Sequence, residues 1–179
     1  MTDTMKADIT RDLLDQAQGL GHEARATQND HASLKLWLRL LACTTQIEDE
    51  IRRRLRERFG ISLARFDYLA QLYREPDGLM MKDLSRNLMV TGGNITGLTD
   101  ELEQEGLVVR EPSPTDRRSW FVRMTIEGKD SFERMATEHE AWIVELFAGL
   151  DRASIQQMHT ALGTLRVHLM KVQSNRLSN

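Results

Sequence analysis

The sequence predicts a mainly α-helical fold that carries one small β-hairpin. Three observations point there. From His31 onward, apolar residues recur at steps of three and four over most of the chain, the pattern of helices with one buried face. A single stretch, 107–125, departs from that period, with "LVVRE" and "SWFVRMT" as β-branched or aromatic runs flanking "PSPTDRR", which reads as two strands around a turn. Glycines and prolines at Gly60, Pro76, Gly78 and Gly106 cut the remainder into helix-length pieces.

The elements follow in order. Residues 1–30 carry Lys6, Arg11 and Arg25 against six acidic side chains, and their one amphipathic piece, "ITRDLLDQAQGL", is helical only if docked. Residues 31–60 form a first long helix through Leu34, Leu38, Leu41, Ile47, Ile51, Leu55 and Phe59, closed by Gly60. Ser62 caps a second helix with Phe66, Leu69, Leu72 and Tyr73 as its buried stripe, stopped at Pro76-Asp77-Gly78. "MMKDLSRNLMV" is a short third helix. Thr91 caps a fourth, with Ile95, Leu98 and Leu102 inward and a polar, small outward face, ending at Gly106. The hairpin strands are Leu107 to Glu111 and Ser119 to Thr125, and beyond Gly128 the chain is helical again. There Phe132, Met135, His139, Trp142 and Leu146, and then Ile155, Met158, Leu162, Leu165, Leu169 and Val172, form narrow apolar seams. Such seams ask for a partner helix, and a homodimer is the economical source.

Composition bounds the function. With 179 residues and 40% hydrophobic content the chain can bury a real core. The net charge of -3 argues against a wholly basic nucleic-acid-binding surface, yet the acidic excess lies in residues 1–30 and the rest is neutral. A lone Cys43 excludes an internal disulfide. No apolar stretch approaches the roughly 20 residues that span a bilayer, and "MTDTMKADIT" lacks a signal-peptide layout, so a cytoplasmic location without membrane contact is expected. Neither catalytic residues, a metal site nor a cofactor is expected: the five histidines show no ligand spacing, and nothing resembles a catalytic triad, phosphate loop or paired acidic site.

Helix, short helix, turn, helix and hairpin is the order of a winged helix-turn-helix. A reading helix enters the major groove by its N-terminal residues, so that end must be uncluttered. Thr91 caps it, Gly92 and Gly93 remove bulk and direct backbone N–H groups at a phosphate, and Asn94 can bind adenine bidentately. Thr96 and Thr99 are weaker candidates for phosphate or thymine-methyl contact. Arg117 or Arg118, at the hairpin tip, suits the electronegative minor groove, with Asp116 holding the tip in shape by local pairing.

"LVVREPSPTDRRSWFVRMTIEGKD" resembles the wing of the MarR (multiple antibiotic resistance regulator) family, whose signature of Asp, Arg, Leu-Thr and Gly falls on Asp116, Arg118, Met124, Thr125 and Gly128. Met124 departs from it conservatively. "FDYLAQLYREPDGLMMKDLSRNLMVTGGNITGLTDELEQEGLV" is similar to the family's preceding helix-turn-helix. The resemblance covers roughly residues 32 to 172. It implies a homodimeric regulator binding a pseudo-palindromic operator on double-stranded DNA, most often a repressor released by a small ligand. By the same resemblance residues 61–128 are the DNA-binding lobe and residues 31–60 and 129–175 the dimerisation helices. The acidic extension resembles members with an added N-terminal helix.

Family effectors are frequently phenolic or aromatic carboxylates, bound where the dimerisation helices meet the DNA-reading lobe. On that analogy the ligand candidates are Trp37, Arg39, Leu40, Phe66, Asp67 and Tyr68, an arginine beside aromatic rings suiting an anionic aromatic ligand. "TGGNIT" resembles members that control hydroxycinnamate or related aromatic degradation, some answering to an acyl-CoA thioester. Two alternatives stay open: redox sensing through Cys43, and a winged helix used for protein contact without specific DNA binding.

Overall fold

A computed structural model describes residues 32–88, 91–112 and 120–177. The predicted amphipathic piece before His31 and the hairpin tip with Asp116, Arg117 and Arg118 lie outside the described residues. The chain divides into two compact units, Met1–Phe66 and Asp67–Asn179.

In the first unit, α1 runs Ala32–Phe59. Acidic residues stand three or four positions before basic ones over its second half, and Glu48 and Asp49 to Arg52 and Glu50 to Arg53 and Arg54 all close as ion pairs. Acid before base is the order that also complements the helix dipole. Hydrogen bonds from Arg53 and then Arg54 hold the Glu50 carboxyl down at about 2. Gly60 ends the helix, its amide donating to the Arg56 carbonyl at 3.0 Å. Burial in α1 is confined to Ile51 and Leu55, whereas Leu34, Leu36, Trp37 and Leu41 are exposed.

Helix α2, Leu63–Tyr73, opens at the predicted cap: Ser62 Oγ accepts from the Arg65 amide at 3.3 Å. Strand β1 (Leu79–Met80) leads without a loop into α3 (Met81–Asn87), and α4 (Gly92–Gln104) follows. Strands β2 (Val108–Pro112) and β3 (Trp120–Met124) make the hairpin, and α5 (Ile126–Leu146) and α6 (Arg152–Leu177) complete the order. The sheet is antiparallel in the order β1-β3-β2. Leu79 and Arg110 both sit opposite Val122, which is fully buried.

The second unit's core comprises Leu69 and Leu72 of α2, Leu84 of α3, Ile95 and Leu102 of α4, Val108, Val122, and Phe132, Met135 and Trp142 of α5. Each fully buried leucine contributes roughly 2 kcal/mol by leaving water. Tyr73 and Phe132 bring their ring centroids within 4.9 Å, and Tyr73 Oη donates to Glu133 at 2.9 Å, which fixes that end of α2 to α5.

Two boundaries differ from the sequence reading. The expected hairpin is a three-stranded sheet: Leu79 and Met80 pair with β3, and Met80 does so instead of opening α3, because Gly78, at φ +93°, turns the chain where any Cβ would strike Val122 O at 2.5 Å. Helix α5 begins at Ile126, so Gly128 lies in its first turn, not before it.

Candidate nucleic-acid interface

The start of α4 is built as its residue types dictate. Thr91 stays extended and its Oγ1 accepts from the Asn94 amide at 3.4 Å, while its carbonyl accepts from the Ile95 amide at 3.1 Å. Ile95, Thr99 and Leu102 are buried. A helix turns about 100° per residue, so Gly93, Gly97 and Gln104 point directly away from that face, and Asn94, Thr96 and Asp100 flank them. A Cβ added at Gly92, Gly93 or Gly97 would meet nothing within 4 Å. Neither internal packing nor backbone angle asks for these glycines, and Gly97 sits mid-helix, where glycine costs about 1 kcal/mol relative to alanine. Gly97 was legible in the sequence as an outward or flanking residue of this helix, and its unexplained cost is the signal that adds it to the open face.

Thr91, Gly92, Gly93, Asn94 and Thr96 are all exposed. The Thr96 hydroxyl donates back to the Gly92 carbonyl at 3.0 Å. Thr99, expected at the DNA surface, is not there. Its side chain is fully buried, and its one hydroxyl hydrogen goes to the Ile95 carbonyl at 2.7 Å. Tyr68 Oη, 2.8 Å away, is therefore the donor to Thr99. Thr99 thus ties α2 to α4 from inside and offers DNA no atom.

Burial pushes the Tyr68 hydroxyl up to about 12. A raised folded-state value means that Tyr68's contribution is complete below the ordinary value of 10.0 and is lost as pH rises through about 12. Tyr68→Phe is expected to lower stability by about 1 kcal/mol at neutral pH and to flatten the decline between pH 10 and 12. Denaturant titrations across that range check both; superimposable pH curves for the two proteins would count against the burial of the Tyr68 hydroxyl.

The signature residues that follow the wing prove to be structural. Thr125 donates through its hydroxyl to the Gly106 carbonyl at 2.7 Å and through its amide to the Leu107 carbonyl at 3.1 Å. The same hydroxyl accepts from the Gly128 amide at 2.9 Å, capping α5. At Gly128 a Cβ would stand 2.0 Å from Leu107 O. The returning wing is thereby fastened to the exit of α4. Across the hairpin Arg123 pairs with Glu111 at 2.5 Å.

The ligand candidates are distributed differently from the sequence picture. Trp37 is 57% exposed, Leu40 half-buried and Arg39 exposed on α1. In a continuous helix Trp37 and Leu40 share a face, whereas Arg39 lies about 200° around the axis from Trp37. Phe66 and Tyr68 are buried and Asp67 is exposed. Cys43 is an exposed thiol on α1. Among the described residues no group of His, Cys, Asp and Glu is arranged to hold a metal, and no helix is long and apolar enough to cross a membrane.

A three-stranded wing beside an unobstructed, capped helix defines a winged-helix DNA-binding protein. Residues 59–119 match the profile of the MarR family. A MarR family transcriptional regulator from Silicibacter pomeroyi is 32% identical, with a TM-score of 0.66 over 82% of this chain and 99% of that one. The regulator MhqR of Bacillus subtilis is 29% identical over 124 residues, 69% of this chain and 84% of its own length. Sco3205, a MarR family regulator from Streptomyces coelicolor solved in complex with DNA, shares the fold with a TM-score of 0.67 at 22% identity, over 79% of this chain and 90% of that one. The chain belongs to the MarR family of DNA-binding transcriptional regulators, and its relatives are regulators, not enzymes.

Proposed function

We propose that this regulator is a repressor that binds a pseudo-palindromic operator as a homodimer and is released by a small anionic aromatic acid or its CoA thioester. The observation that carries the operator reading is the outward face of α4, where Gly93 and Gly97 stand in open space behind a capped N-terminus whose first residue, Gly92, is equally unobstructed. Thr91, Gly92, Gly93, Asn94 and Thr96 are the major-groove set, with Asn94 as the base reader. Asp116, Arg117 and Arg118 are assigned to the minor groove on sequence grounds. The dimer reading is supported by the exposed apolar residues of α1 and α6, so residues 31–60 and 129–175 are assigned to dimerisation and 61–128 to DNA. Trp37, Arg39, Leu40, Phe66, Asp67 and Tyr68 are assigned to the effector on sequence grounds, with the exposed indole of Trp37 as the aromatic surface on α1.

The test is a gel-shift and footprint on the DNA flanking the protein's own gene, repeated with aromatic acids and their CoA thioesters. One protected palindrome, released by a member of that set, is expected. Equal affinity for random duplex would overturn the operator reading. Release by peroxide alone, abolished by Cys43→Ser, would replace the aromatic effector with thiol chemistry.

Gly97→Ala makes a sharper test of the open face, because its two effects have opposite signs. The substitution is expected to stabilise the free protein by about 1 kcal/mol while weakening operator affinity several-fold through the added methyl. Thermal melts and gel shifts on the same preparation check this. A stabilised protein with undiminished affinity would remove Gly97 from the DNA-facing surface.

A further inference from the structure

The second half of the DNA-reading helix has the wrong charge for its task. Asp100, Glu101 and Glu103 lie there, and α4 contains neither lysine nor arginine. Two of these carboxylates are met by one side chain from the wing. Arg110, on β2, places Nη1 2.7 Å from Asp100 Oδ1 and Nη2 2.7 Å from Glu103 Oε2. Its backbone amide also donates to Glu103 Oε1 at 3.0 Å, so Glu103 grips both the strand and the side chain. The guanidinium lies 5.6 Å from the centre of the Trp120 ring, close enough for a cation–π contact. Trp120 in turn pairs with Pro112 on the last described rung below the wing tip. At 23% side-chain exposure Arg110 is the least accessible member of the cluster, ahead of Glu103 at 35% and Asp100 at 54%.

The planar fork of arginine satisfies this arrangement, because it can address two carboxylates and an aromatic face at fixed angles; a lysine ammonium is a point charge on a flexible stem. The connection is also not the shortest available to the chain. Glu105, Gly106 and Leu107 already join α4 to β2 covalently, and that link sets the first residue of the strand, not its angle to the helix. The contacts of Thr125 with Gly106 and Leu107 fasten the wing at that same end; Arg110 supplies an attachment further out, three residues along the strand. Two points fix a direction.

We infer that Arg110 is a positioning residue for operator recognition: by clamping β2 to Asp100 and Glu103 it holds the wing at one angle to the reading helix, so that helix and wing meet DNA as a single rigid surface. Arg110 itself touches no base. The inference rests on the DNA-binding activity, which wild-type binding establishes independently of any variant, and on neither the dimer nor the effector.

The experiment compares Arg110→Lys and Arg110→Met with wild type on operator and on random duplex of equal length, at one salt concentration, with thermal melts of each protein. Arg110→Lys retains the positive charge and is the variant that tests geometry should Arg110→Met fail to fold. A clamp predicts that the ratio of operator to random affinity falls about tenfold in folded Arg110→Lys, comparable to one mismatched base pair, with random-duplex affinity unchanged. An unchanged ratio in the folded variant overturns the inference and leaves Arg110 a stabilising ion pair. A loss in Arg110→Met equal on both duplexes, and reversed by adding Asp100→Asn and Glu103→Gln, also overturns it, assigning Arg110 to masking of negative charge.

Discussion

Gly128→Ala is expected to destabilise the folded chain by about 3 kcal/mol, at the upper end of what one added methyl costs in a packed site. The added carbon would stand 2.0 Å from the Leu107 carbonyl oxygen, 2.8 Å from its carbon and 2.9 Å from Met124 Cγ. Met124 can rotate away; a backbone carbonyl cannot. Relief therefore requires moving Leu107, whose carbonyl also accepts from the Thr125 amide and whose own amide donates to the Leu102 carbonyl at the end of α4. The strain runs straight into the fastening between reading helix and wing. Urea denaturation is the measurement, with the midpoint falling and the slope unchanged if compactness is preserved. A loss under about 0.5 kcal/mol, within the range of ordinary surface changes, would mean that α5 is not held against Leu107. The same glycine-to-alanine exchange at Gly97 carries the opposite expected sign, so the pair isolates the surroundings from the chemistry of the substitution.

Local signals proved readable and long-range ones did not. Gly60, Ser62 and Thr91 act within a turn of their own positions, and each stands at the helix end where its chemistry placed it. The strand residues around the wing were likewise legible from their β-branched and aromatic runs. Thr99 was not, because the choice between an outward and an inward threonine depends on Tyr68, 31 positions earlier. Leu79 and Met80 form a strand too short to have a period, and their pairing is decided by Phe121 and Val122. Gly128 looks like any helix-breaking residue until Leu107 O is placed beside it. Arg110 was hidden for a similar reason: "VVRE" is an ordinary strand end, and only the fold sets it against two carboxylates of α4.

A charge in the middle of α6 is expected to have the largest effect on DNA binding. This helix spans Arg152–Leu177, and none of its described side chains is buried. Ile155, Met158, Leu162, Leu165, Leu169 and Val172 are each between 36% and 49% exposed along one seam. A helix draws most of its stability from packing an apolar face, and a contiguous patch of this kind marks an interaction surface. If a second copy covers it, as proposed, the two reading helices are tied together and the second half-site is bound as an intramolecular event. Linked sites of this type commonly gain two to four orders of magnitude in affinity (~10²–10⁴-fold) without any new contact. Leu162→Lys with Leu165→Lys puts two ammonium groups into that seam, where burial without partners is strongly unfavourable. The expected outcome is a monomer by sedimentation equilibrium and an operator affinity lowered by about a hundredfold or more, with helix α4 and its contacts untouched. A variant that sediments as a monomer and still binds the operator like wild type would show that recognition needs one copy only. A wild-type protein that is monomeric at micromolar concentration would remove the dimer, and the exposed seam would then require a different partner.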